Sequence, residues 1–226
     1  MMYLLLVAVA PVIALIIFFY HKDRYEKEPL SLLIKAFLMG ILITVPGLFL
    51  EQSFAVLFMY TPVTTNILII FLYAFIGVGL VEEGLKFIGL FGLMYYNREF
   101  DEPYDGIMYA VMVSLGFAFI ENIFYVFRGG FYVGVLRAFL SIPGHAIFGV
   151  FMGYFMGVAK FTGRRRKNLI LSFIVPTIIH GLYDFLLMTK IPALAFFIIP
   201  LLYFCWVLTF KAVKIQEEKS PFKEDD

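Results

Sequence analysis

The stretch Phe75–Leu90, FIGVGLVEEGLKFIGL, decides how the rest of this chain is read. Glu82, Glu83 and Lys86 stand in a run otherwise apolar enough to cross a bilayer. A charged side chain at the middle of a membrane helix costs about 2.5–3.5 kcal/mol on insertion scales. Three of them within five positions make a poor anchor. The cluster is therefore read as a functional site facing the interior of a helix bundle.

The composition around it agrees. Of the 226 residues, 62% are hydrophobic and only 15% charged, against roughly 45–50% and about 25% in soluble domains. A chain this short has no soluble core large enough for that apolar surface, so its solvent is lipid. In lipid every backbone polar group needs an internal partner, which leaves helices or a closed barrel. The apolar runs are about 20 residues long, the length of a helical crossing rather than of a barrel strand. The expectation is an all-α, polytopic transmembrane helix bundle in one domain, residues 1–213, with a charged tail, 214–226, that is disordered. A formal net charge of +1 gives no field for nucleic acid. The single cysteine, Cys205, beside Trp206, reads as a packed thiol and cannot form an intrachain disulfide.

Going outward along the chain, Met2–Tyr20 is a first span. No Lys or Arg precedes it and Lys22, Arg24 and Lys27 follow it, so it reads as a retained helix rather than a signal peptide. A polar elbow, 21–31, leads to a second span over about 32–59, bent at Pro46. After a turn at Thr61–Asn66 comes the third span, from Ile67 to about Tyr95, carrying the glutamates. The fourth opens at Asp105–Gly106 and ends near Phe127, with a turn at Arg128–Gly130. The fifth covers about 131–159, the sixth Leu169–Met188 and the seventh Pro192–Val213. With seven spans and the N-terminus outside, the cytoplasmic side holds Lys22, Arg24, Lys27, Arg98, Lys160, Arg164, Arg165, Arg166, Lys167, Lys211, Lys214, Lys219 and Lys223. Only Arg128 and Lys190 fall outside. Thirteen against two is the bias expected of a cytoplasmic C-terminus.

Glu82, Glu83 and Lys86 then have company at depth: Glu121 and Asn122 on the fourth span, His145 on the fifth, His180 and Asp184 on the sixth. Counted from the cytoplasmic end of each span at about 1.5 Å per residue, Glu82 lies roughly 20 Å up, Glu121 22 Å, His145 21 Å and His180 18 Å. Each group alone has a plain structural reading. A lone His bonds neighbouring helices, Glu82 and Lys86 form an i, i+4 ion pair, and Gly149, Gly153 and Gly157 make a packing face. Coincidence in depth on four helices points instead to a shared site in the outer half of the bilayer.

Two adjacent carboxylates in a low-dielectric cavity resist ionising together, and Lys86 faces both. One carboxylate so placed is a general base for water. Asp184, one turn from His180, would orient an imidazole able to donate to an oxyanion. Pro176 and Pro143 loosen the helices that carry the histidines. The chemistry assembled is hydrolysis of a peptide bond within the membrane. There is no G-x-S-x-G and no H-E-x-x-H, so a serine hydrolase and a zincin are disfavoured. Two histidines and several carboxylates could still supply three zinc ligands; the expectation is no cofactor, with zinc the alternative. Buried Glu and His also build proton relays, but the two related halves usual in transporters are absent.

The motifs Val81-Glu82-Glu83-Gly84-Leu85-Lys86, Phe117-Ala118-Phe119-Ile120-Glu121-Asn122 and His180-Gly181-Leu182-Tyr183-Asp184 resemble those of the PrsW family of membrane-embedded bacterial proteases. The likeness runs in order from the elbow at Lys22–Pro29 through Tyr104-Asp105-Gly106 and Gly144-His145. More distantly the pattern is similar to the CAAX-protease and bacteriocin-processing superfamily. Here Lys86 stands one position early for its Arg, Glu121 stands for a His, and Asp184 closes the last motif. The resemblance implies a glutamate-based intramembrane endopeptidase of the cell membrane, with an anti-sigma factor anchored by one span as substrate in envelope-stress signalling. It implies Glu82 and Glu83 as the water-activating pair, Glu121 as a further essential carboxylate and His180 as oxyanion or water partner. Lys86, Asn122, His145 and Asp184 support them.

Overall fold

A computed structural model describes residues 2–223. Among the described residues the chain is helical, with no strand: α1 Met2–Lys22, α2 Leu30–Leu57, α3 Ile67–Leu72, a π-helical segment Tyr73–Leu80, α4 Val81–Met94, α5 Pro103–Phe139, α6 Ser141–Phe161, α7 Arg165–Met188, α8 Pro192–Ala195 and α9 Ile198–Glu217. Among the described residues six stretches are long and apolar enough to cross a membrane, and one of them, Pro103–Phe161, has 59 residues. As one straight rod it would measure about 88 Å, nearly three times the ~30 Å apolar thickness of a bilayer.

It is not straight. Gly130 has φ 79° and ψ −168°, a conformation open to glycine and costly for other residues, and the chain reverses there. Val126 packs against Gly134, Arg137 bonds Asn122, Ser114 Oγ donates to the His145 carbonyl at 2.6 Å, and Gly106 meets Gly153. Each pair sums to about 260, so the two limbs form one antiparallel hairpin centred on Gly130. A second break at Leu140 (φ −115°, ψ −62°) separates α5 from α6.

The first limb of this hairpin is the centre of the molecule. Every residue from Pro103 to Ala118 is buried, as expected of a helix apolar on all sides. α1, α2, α4, α6 and α9 pack around it. α2 crosses at backbone distance. A Cβ at Gly40 would lie 2.0 Å from the Val113 carbonyl oxygen, and one at Gly116 2.1 Å from that of Phe37. The outward faces of α1 and α9 carry exposed large apolar side chains such as Leu6, Ile13, Tyr203 and Phe204, the surface that lipid covers.

Local signals explain the ends. Asn66 Oδ1 accepts from the backbone N–H of Leu68 and Ile69, capping α3. Glu102 and Asp105 form a reciprocal cap with Pro103 in the first turn of α5. Pro46 and Pro176 lie inside helices that continue through them. Pro143, expected to loosen a span, sits in the first turn of α6, where a missing N–H costs nothing; the loosening is at Leu140. Beyond residue 213, where a disordered tail was expected, α9 continues to Glu217 and Ser220 is buried, donating to Glu102. Residues 224–226 of that tail lie outside the described residues.

The elbow between α1 and α2 is tied to the start of α5. Lys27 Nζ donates to the Tyr20 carbonyl at 2.5 Å and to that of Asp23, closing the end of α1. Tyr104 donates to the Phe19 carbonyl at 2.9 Å, and Tyr109 donates to Glu28. Asp23 is buried and, among the described residues, neither carboxylate oxygen has a partner. Burial pushes the carboxyls of Asp23 and Glu28 up to about 7.

Candidate active site

The site begins with a helix defect. In the π-helical segment Tyr73–Leu80 the backbone bonds run i→i+5, a rare arrangement that widens the helix and turns its later residues around the axis. Its Gly79 lies against α7: a Cβ there would be 3.0 Å from the Gly181 nitrogen and from the Thr177 oxygen. Gly181 in turn leaves room for the Phe75 ring. The glycines bring two backbones together one residue from His180 and four from Glu83, and those side chains meet.

What converges there is one connected polar network. Lys86 Nζ donates to Glu82 Oε2 at 2.9 Å and to Glu83 Oε1 at 2.8 Å, and lies 3.3 Å from His145 Nδ1. An ammonium only donates, so Nδ1 accepts and the His145 proton sits on Nε2. That nitrogen is 3.0 Å from Glu121 Oε2. The other histidine bridges two carboxylates, with His180 Nδ1 2.9 Å from Glu83 Oε1 and Nε2 3.3 Å from Asp184 Oδ2. Seven of the eight residues singled out in the sequence thus touch one another across α4, α5, α6 and α7. The eighth, Asn122, is buried beside them without bonding any of the seven: it donates to the Ala8 carbonyl of α1 and accepts from Arg137 Nε at 2.8 Å.

Two residues of the site escaped the sequence reading. Arg137 donates through Nη2 to Glu121 Oε2 at 3.1 Å and lies over the Tyr125 ring at 4.2 Å. A height count puts it about 12 Å above His145; the break at Leu140 and its long side chain bring it down. Pairing residues symmetrically about Gly130 would have placed it beside Asn122. Glu51, on α2, lies at the cavity, and its buried Oε1 has no partner among the described residues. Like Glu82 it is a carboxylate in an apolar span, placed near the end of α2.

A cavity of about 420 Å³ opens beside the network, lined among others by Glu51, Glu82, Glu121, Arg137, His145, His180 and Asp184. It extends to Tyr60, Pro62 and Lys190, in the loops at the α2–α3 and α7–α8 ends, where Lys190 donates to the Pro62 carbonyl. Glu82 lines the cavity. Glu83, with no exposed surface, does not; it holds Lys86 and His180 from behind.

The donor atoms of Glu82, Glu121 and His145 lie within 4.8 Å of one another, and so do those of Glu82, Glu83 and His180. Two carboxylates with an imidazole form a donor set that suits a divalent metal such as zinc, so the residues fit one by chemistry. The first set is the one beside the cavity at all three positions.

Comparison with known proteins bears on the same stretch. A family profile described as "PrsW family intramembrane metalloprotease" matches residues 28–212. "Protease PrsW" of Geobacillus kaustophilus is 40% identical over 183 residues, 80% of this chain and 78% of that protein. The protein of the same name from Oceanobacillus iheyensis is 35% identical over 97% of this chain and 99% of its own length. That of Bacillus subtilis is 37% identical over 88% of both. No solved structure matches. Matched by the family profile over most of its length and by the Oceanobacillus iheyensis protein nearly end to end, the chain belongs to the PrsW family of intramembrane proteases.

Proposed function

We propose that this protease cleaves a membrane protein anchored by a single span, using water activated by Glu82, in the outer half of the cell membrane. The observation that carries the assignment is the division of labour between the two glutamates. Both pair with Lys86, but only Glu82 lines the cavity. Glu82 takes a proton from water as the water oxygen adds to the scissile carbonyl carbon. When the C–N bond breaks, the leaving amine takes that proton and a new carboxyl group remains. Lys86, fully buried between the pair, holds the Glu82 carboxylate in place by donating to its Oε2 at 2.9 Å.

The outer position rests on the topology we propose. Counting the hairpin about Gly130 as two passes gives seven, and the basic residues then place the N-terminus outside. The cavity ends at the Tyr60–Pro62 and Lys190 loops, which lie outside in that arrangement. For the substrate we propose an anti-sigma factor, the class to which the resemblance of the three motifs points.

A second reading has its own support in the donor set of Glu82, Glu121 and His145 and in the description of the matching family as metalloproteases. Those three residues would hold the ion, which supplies Lewis acidity and a water of lowered pKa. Glu83, Lys86 and Arg137 keep the same places under either reading. We favour the glutamate-only form because the Lys86 ammonium, 2.9 Å from Glu82, already provides a fixed positive charge at the base. Reconstitution in vesicles with a single-span substrate tests both. Expected are cleavage by the wild type, a loss of ~10²-fold or more in Glu82→Gln, and full activity after exhaustive chelation. Activity abolished by chelation and restored by zinc would replace this mechanism with the metal-dependent one.

A further inference from the structure

A carboxylate base leaves one need unmet. As water adds to the peptide carbonyl, the carbonyl oxygen becomes an oxyanion beside Glu82, and a preorganised hydrogen-bond donor must face it. Lys190, at the loop end of the cavity, is engaged with the Pro62 carbonyl, which leaves the cationic and imidazole donors of the network itself. Lys86 has three protons, and its three neighbours Glu82, Glu83 and His145 account for them. His145 has Lys86 on Nδ1 and Glu121 on Nε2. His180 has a carboxylate oxygen at each ring nitrogen, from Glu83 and Asp184. None of the three has an N–H left for substrate.

Arg137 has. A guanidinium carries five N–H donors in a rigid fork. Among the described residues only two of these are engaged, Nε with Asn122 and one on Nη2 with Glu121. The fork is held from three sides by Asn122, Glu121 and the Tyr125 ring, while the residue lines the cavity. It shares Glu121 Oε2 with His145, and His145 touches Lys86, which touches Glu82. The neighbouring Glu121–Asn122 pair thus has a shared task, since both side chains grip one arginine.

We propose that Arg137 is the oxyanion donor of the reaction, its unengaged N–H groups binding the substrate carbonyl as negative charge develops on it. The role rests on the hydrolytic reading above. Water adds to the carbonyl carbon, the C=O pair moves onto oxygen against the guanidinium, and that pair returns as the C–N bond breaks. His180 is then a positioning residue that holds Glu83 and, through it, Lys86.

The test uses the full-length protein reconstituted with a single-span substrate and with a phosphinate peptide as transition-state mimic. In Arg137→Gln, kcat falls ~10²–10³-fold, as for loss of one oxyanion donor. Affinity for the phosphinate falls by the same factor, while binding of the uncleaved peptide, measured in a Glu82→Gln background, changes less than about threefold. Should Arg137→Gln fail to fold, Arg137→Gly replaces it, with guanidinium in the buffer restoring turnover. The inference is overturned if Arg137→Gln keeps kcat within about threefold of wild type. Equal weakening of peptide and phosphinate, or a folded Arg137→Gly that guanidinium does not rescue, also overturns it. A wild type that cleaves no substrate would instead overturn the proposed function.

Discussion

Lys86 separates the roles of the two glutamates beside it. Its ammonium lies between Glu82 and Glu83 and over the Phe117 ring at 4.5 Å, with no exposed surface of its own. Removing one partner of a buried ion pair leaves a charge without compensation, at about 3–5 kcal/mol. Glu83 also holds His180, so Glu83→Ala leaves two donors unmatched. The expected outcome is a loss of about 3 kcal/mol or more in stability for Glu83→Ala, read by thermal unfolding in detergent, and a smaller loss for Glu82→Ala, which strips one donor of its partner rather than two. Equal melting of the two variants would remove the distinction drawn between base and support. At this scale the sequence was highly legible, because a charge at membrane depth is costly enough to announce itself. Arg137 and Glu51 were missed because they lie near the ends of their spans, where that cost fades.

The elements show what such reasoning does not reach. Helices were readable from apolar runs about 20 residues long, and the reversal from Arg128-Gly129-Gly130. The π-helical segment Tyr73–Leu80 has no periodicity of its own; packing against α7 at Gly79 and Gly181 accompanies it. The elbow is a second such case, since its acids look like ordinary loop charges until α5 covers them. Asp23 and Glu28 have carboxyls pushed up to about 7 by burial, from ordinary values of 3.8 and 4.5. With folded values above unfolded ones, the folded state binds more protons between them. The stabilising contribution of these protons is fully present below about pH 4 and is lost as pH rises towards 7. Melting temperature is therefore expected to be higher at pH 5 than at pH 8, with a smaller difference in Asp23→Asn. A melting temperature that rises with pH over this window would contradict the burial argument.

At the scale of the whole molecule the heights counted from the sequence, although each is a single multiplication, place Glu82, Glu121, His145 and His180 in one layer. The structure joins these residues through hydrogen bonds, with Lys86 and Glu83 as the links. The count brought these four together because helices rise uniformly. Which face each residue presents was not available from rise alone, and Asn122 turned towards α1 rather than the cavity. This layer, in the reading proposed above, is a cutting site near the outer boundary of the bilayer. Mass spectrometry of the fragments from a reconstituted single-span substrate of known orientation tests it most directly. The expected result is a scissile bond at the extracytoplasmic boundary of the span in wild type and intact substrate in Glu82→Gln. Cleavage at the cytoplasmic boundary, or the same fragments from Glu82→Gln, would contradict it.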